Sequence, residues 1–179
     1  VIETAQARIS ESLINLRTGP GYTFPIIKKL TGQPKLIILA QALGSDWVLA
    51  DTGEQKGWVP VKYLQIYGLD IFRALPMEEV KDAYTIQGKV ADANGTPINH
   101  VTVTLAQGGS TFTTAASATD GSFYLYLPNT AKGIWTISVT DVSCLSEIMN
   151  KDCKYTGHFY PTYTHVTLPQ AEPVEFSYK

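Results

Sequence analysis

Hydrophobic and polar residues alternate with a period of two along most of this chain, and helical periodicity is nearly absent. In the front part the alternation predicts strands over Ala7–Ser10, Ile26–Leu30, Lys35–Leu43, Trp47–Asp51 and Gly57–Val59. Turn signals separate them: Thr18-Gly19-Pro20-Gly21, Thr31-Gly32-Gln33-Pro34, Gly44-Ser45-Asp46 and Thr52-Gly53-Glu54. Short strands so closely spaced, over roughly sixty residues, predict a small barrel. Leu69 to Ala83 breaks the pattern with Leu75-Pro76 and the acidic pair Glu78-Glu79. It reads as a linker with room for one helical turn, Met77 and Val80 facing inward.

Strand grammar resumes at Tyr84. Thr85–Val90 leads into the turn Asp92-Ala93-Asn94-Gly95. Val101, Val103 and Leu105 then share one face, Phe123, Leu125 and Leu127 another, and Trp135, Ile137 and Val139 a third. Tyr124 and Tyr126 fall opposite the Phe123 set, on the outer side. Further strands are expected at Phe112–Thr119, His158–Leu168 and Val174–Tyr178. About seven strands with regular turns predict an immunoglobulin-like sandwich. The expected organisation is all-β, with a barrel over 1–68, a linker over 69–83 and a seven-stranded sandwich over 84–179.

Composition agrees with ordered globular protein, since 44% hydrophobic residues supply enough apolar surface to offset chain entropy. The net charge of −2 is divided between a mildly basic front, with 7 Lys/Arg against 5 Asp/Glu in residues 1–64, and an acidic remainder. Neither part has the basic cluster that nucleic-acid binding requires. No apolar run approaches the ~18 residues of a membrane-crossing helix. The first residue is Val1 rather than Met, which reads as a processed or trimmed start and leaves room upstream for a secretion signal or lipid anchor.

Two cysteines, Cys144 and Cys153, are separated by eight residues in a polar stretch. A disulfide closing that loop stabilises by about 2–3 kcal/mol on the chain-entropy model and implies an extracytoplasmic address, secreted, periplasmic or surface-anchored. Two free thiols are the second reading. Zinc is the third, although nearby His158 alone does not complete a ligand set.

Three segments of the front part resemble the bacterial SH3 family. Leu13-Ile14-Asn15-Leu16-Arg17-Thr18-Gly19-Pro20-Gly21 looks like its "LNLRSGPG" signature, Asp46-Trp47-Val48 falls at its "W-x-x-V" strand, and Gly57-Trp58-Val59-Pro60-Val61-Lys62-Tyr63-Leu64 resembles its "GWV…YL" ending. These residues also have mechanical roles. Asn15 and Arg17 flank an inward Leu16, Gly57 permits close approach of a neighbouring strand, and Pro60 to Tyr63 forms a 3₁₀-like turn. The resemblance implies a binding module for cell-wall peptides or neighbouring domains, without cofactor or covalent chemistry. Tyr22, Trp47, Trp58 and Tyr63 are the candidate aromatic groove, with core packing as the competing role for the two tryptophans. The "ALYDY" stretch of eukaryotic SH3 domains is missing, so polyproline recognition is not implied.

The rear part is similar to the carboxypeptidase regulatory-like, or transthyretin-like, sandwich family. The similarity rests on Ile86-Gln87-Gly88-Lys89-Val90, Asn94-Gly95-Thr96-Pro97-Ile98, Val101-Thr102-Val103 and Ala118-Thr119-Asp120-Gly121-Ser122-Phe123-Tyr124-Leu125. It implies a non-catalytic accessory domain of exported proteins, with the Cys144–Cys153 stretch as an insertion.

Catalytic motifs are missing: the chain has neither G-x-S-x-G nor a phosphate loop. His158 and His165 are seven apart and would face opposite sides of one regular strand, and His100 follows a turn. Asp92 and Asp120 fall in turns, where a carboxylate caps the backbone. Tyr124, Tyr126, Tyr160 and Tyr163 are candidates for an outer platform that stacks on sugars or peptides, or for packing against the other domain. The sequence therefore predicts a non-enzymatic binding or adaptor module of an exported bacterial protein. It recognises a peptide, a wall fragment or another protein domain, with no cofactor, metal or nucleic acid. The alternatives are purely structural spacer domains, or accessory domains of an envelope hydrolase whose catalytic part lies elsewhere.

Overall fold

A computed structural model of the chain describes residues 4–140, 158–169 and 172–178. The fold is all-β and separates into two compact units, Val1–Thr85 with Tyr126–Thr130, and Ile86–Leu125 with Ala131–Lys179.

The first unit contains β1 (Ala5–Ile9), β2 (Leu13–Arg17), β3 (Ile26–Thr31), β4 (Lys35–Ala42), β5 (Trp47–Asp51) and β6 (Lys56–Pro60). A 3₁₀ turn (Val61–Tyr63) leads into β7 (Leu64–Tyr67), the short helix α1 (Leu69–Arg73) and β8 (Met77–Glu78). One sheet runs in the order β3-β2-β6-β5-β4-β1-β7, with β8 added in parallel to the end of β4. Alternate residues of six strands share one core: Ala5, Ala7 and Ile9; Ile14 and Leu16; Leu30; Leu36 and Ile38; Val48 and Ala50; Val59. A single sheet buries such a set only by wrapping around it, because a flat sheet would leave that face in water.

The stretch 69–83, expected as a linker, is instead part of this unit. Ile71, Phe72 and Leu75 pack against the core, and the amides of Gln41 and Leu43 donate to the carbonyls of Pro76 and Glu78. Met77, expected inward, is exposed, because it belongs to β8 and not to the helical turn, which lies earlier at Leu69–Arg73.

The remaining strands are β9 (Ala83–Asp92), β10 (Thr102–Gln107), β11 (Ser110–Ala116), β12 (Ser122–Pro128), β13 (Ile134–Val139), β14 (Phe159–Tyr160), β15 (Tyr163–Thr167) and β16 (Val174–Tyr178). They form two four-stranded sheets, β11-β10-β13-β15 and β12-β9-β16-β14, the second containing the parallel pair β9–β16. Val103 and Leu105, Phe123 and Leu125, and Trp135, Ile137 and Val139 are buried. The single strand expected over His158–Leu168 is two strands in different sheets, divided at Pro161-Thr162. Proline has no N–H to give to a ladder, so the pairing lapses there.

Asp92 and Asp120 cap turns. Asp92 Oδ1 accepts from the amides of Asn94 and Thr96, both at 2.8 Å, and Asp120 Oδ1 from the amide of Ser122 at 2.9 Å. Cys144 and Cys153 lie outside the described residues.

Candidate functional site

The first unit carries a groove of about 260 Å³ lined by Glu11, Leu13, Ile14, Asn15, Arg17, Tyr22, Trp47, Pro60 and Tyr63. It follows from the alternation of β2. Ile14 and Leu16 are buried in the core, while Leu13, Asn15 and Arg17 fall on the opposite face and line the groove. The loop after β2 adds Tyr22. Its path depends on Gly19, where a Cβ would overlap the buried Phe24 ring. The turn after β6 adds Tyr63, with Pro60 immediately before it. Trp47, at the start of β5, forms an inner wall: it is only 5% exposed and meets Tyr22 edge-on at 5.1 Å between ring centroids.

Of the four rings nominated for this groove, Tyr22, Trp47 and Tyr63 come together and Trp58 does not line it. Trp58, 7% exposed, pairs across the sheet with Arg17 and Leu49. The outer aromatic platform is not assembled. Tyr126 is 3% exposed rather than outward, and its hydroxyl donates to the Leu43 carbonyl at 2.7 Å within the first unit. Tyr124 and Tyr160 lie on β12 and β14, at the two ends of one sheet's strand order, while Tyr163 lies on β15 in the other sheet. His165 shares Tyr163's strand, and its Nδ1 is 3.1 Å from Thr136 Oγ1.

Charge enters the groove asymmetrically. The Arg17 guanidinium lies 5.6 Å from the Tyr22 ring, and its Nη1 donates to the carbonyls of Tyr22 (3.1 Å) and Phe24 (2.7 Å). Lys62 places its ammonium 5.6 Å from the Tyr22 ring and 4.8 Å from that of Tyr63, the distance range of cation–π attraction. The hydroxyls of Tyr22 and Tyr63 interact with each other and with Lys62. Partial burial raises the Tyr22 phenol above its ordinary value, with the bond to Tyr63 adding to the rise. Tyr63 is held below the ordinary value by bonds from Tyr22 and then Lys62. Lys62 is raised by the same two hydroxyls, Tyr22 first.

Asn15 carries the least expected feature. Its Oδ1 is buried and accepts no hydrogen bond. The sequence pointed to Asn15 and Arg17 as neighbours of Leu16 but not as groove residues; their shared parity with Leu13 was the available signal. Glu11 has no comparable signal, because the bend between β1 and β2 sets its position. Among the described residues no group of three or more His, Cys, Asp or Glu side chains stands together to hold a metal ion. No helix among them is long and apolar enough to cross a membrane.

A scan against protein-family models finds no match, and a search of curated proteins finds none.

Proposed function

We propose that the chain is a non-catalytic binding module of an exported bacterial protein, and that its front unit is a bacterial SH3-like barrel that holds peptide or cell-wall material in the groove. The rear unit is a carboxypeptidase regulatory-like sandwich that serves as spacer or docking unit. The observation that carries the reading is the convergence of Tyr22, Trp47 and Tyr63 on one groove of the first unit. An exposed Tyr22 ring beside the half-buried Tyr63 and the buried Trp47 gives contact area at low entropic cost, the usual makeup of a small binding hot spot. At about 260 Å³ the groove is smaller than drug-sized pockets of roughly 300–1,000 Å³, so it takes a short segment of a longer ligand.

The test is capture of purified bacterial cell wall, followed by titration of its solubilised fragments. Tyr22→Ala, at the exposed ring, and Tyr63→Ala, at a half-buried ring that also packs against the core, should each weaken binding about tenfold, with circular dichroism checking the fold of each variant. Unchanged capture by both variants would overturn the assignment of function to this groove.

A further inference from the structure

We propose that the sheet β11-β10-β13-β15 carries a second binding surface, on the face opposite its buried residues, and that its ligand is an uncharged polysaccharide stacked on Tyr163. The surface belongs to the second unit, so it stands or falls independently of the groove.

Strand register defines the surface. Val103, Leu105, Trp135, Ile137, Val139 and Val166 are buried on one side of the sheet. The alternate positions face the other way. Thr114, Thr104, Ser138 and Tyr163 stand in one row across the four strands, and Thr136 pairs with His165 in the next. Neighbours in a row are about 4.8 Å apart, the spacing of strands in a sheet. The first row therefore presents hydroxyls at regular intervals and ends on a tyrosine that is 56% exposed.

Two features select the ligand. The first is charge. The four strands contain no Lys, Arg, Asp or Glu, in a chain that is 17% charged. The other sheet of the same unit sets Lys89 beside Glu175, and the sheet of the first unit sets Arg8 beside Lys35. Exposed strands ordinarily carry such charges, which keep them soluble and unpaired. A charged ligand laid on a face without them loses hydration and gains no counter-charge. The second feature is hydrogen-bonding chemistry. A Ser or Thr hydroxyl both donates and accepts, as a sugar hydroxyl does, so the two sets pair in either sense. The apolar C–H face of a sugar ring then lies on the electron-rich face of Tyr163. His165 meets that ring edge-on at 5.4 Å between centroids and has its Nδ1 3.1 Å from Thr136 Oγ1. This contact positions Tyr163 before a ligand arrives, which lowers the entropy lost on binding. A second protein copy would call for an apolar centre, whereas hydroxyls occupy the middle strands here and exposed Ile134 stands only at the start of β13.

The experiment titrates the isotope-labelled full chain with cellohexaose, mannohexaose and N-acetylchitohexaose and follows chemical shifts. At least one of them should bind with a sub-millimolar Kd and shift Thr104, Thr136, Ser138 and Tyr163. Tyr163→Ala should weaken that binding about tenfold, while Tyr163→Phe, which keeps the ring, should retain most of it. Tyr22→Ala, in the groove, should leave it unchanged. A derivative of the bound sugar oxidised to carboxylates at C6 should bind about tenfold more weakly than the corresponding amide. Preference for the N-acetylated probe would support wall glycan as the source, and preference for either other probe would support a polysaccharide from outside the wall.

Absence of shifts at these residues with all three probes at millimolar concentration would overturn the proposal, as would full binding by Tyr163→Ala. Shifts confined to Tyr22, Trp47 and Tyr63 would move the sugar to the groove and overturn this surface alone. Equal binding of carboxylate and amide would overturn the selection by charge. Self-association of the wild-type chain that Tyr163→Ala abolishes, read by sedimentation, would assign the face to a second copy instead.

Discussion

At the scale of single residues, this molecule places side chains suited to a ligand where they do little for the fold. Asn15 Oδ1 is buried without a donor, at a cost of roughly 1–3 kcal/mol for such a group. Asn15→Ala should therefore stabilise the protein, by about 1 kcal/mol. A denaturant titration with unchanged slope and a higher midpoint would show this; a lower midpoint would mean that Asn15 supports the fold after all. Trp47 is the counter-example. It is nearly fully buried and also walls the groove, so its two roles coincide and truncation would not separate them.

At the scale of elements, β2 and its neighbour β6 determine whether the groove exists. Gly57 in β6 sits so close to β2 that a Cβ there would lie 2.6 Å from Leu16 Cγ and 2.9 Å from the Arg17 carbonyl oxygen. The second neighbour is backbone and cannot rotate away. Gly57→Ala should cost about 1–3 kcal/mol, the range for overpacking a core, and should weaken peptide capture by displacing Arg17. Thermal melts read the first effect and titration the second, and wild-type behaviour in both would show that β2 and β6 tolerate separation. The expected close approach at Gly57 was legible because glycine beside Trp58 has few other uses in a strand. β2 itself was less legible: Leu13 is exposed while Ile14 and Leu16 are buried, so Leu-Ile-Asn-Leu blurs the period of two. β7 was missed as well. It has four residues, partly buried at Leu64 and Ile66, and follows a 3₁₀ turn that hides its start.

At the scale of the whole molecule, the units are not two consecutive stretches of sequence. Residues Tyr126–Thr130 cluster with Val1–Thr85, although the residues on both sides belong to the second unit. Strand periodicity carries no information about such a return, so Tyr126 looked like an outward ring of β12. The paired histidines show the same limit. Parity placed His158 and His165 on opposite sides of one strand, but a strand break at Pro161 makes their spacing irrelevant. The extracytoplasmic address proposed for the chain rests on Cys144 and Cys153 forming a disulfide. Intact mass and thiol labelling of non-reduced protein from an oxidising compartment should show two hydrogens lost and no reactive thiol. Two labelled thiols there would remove the basis for that address.

The amino-acid pattern by itself determined the all-β class, because alternation, turn residues and the lack of helical period are local properties. It also nominated Tyr22, Trp47 and Tyr63. Only the tertiary structure decided that these three share a groove with Asn15 and Arg17, that Trp58 stands outside it, and that 69–83 completes the first unit. Those outcomes depend on which strands become neighbours, and neighbours such as β2 and β6 are brought together by a common core across some forty intervening residues.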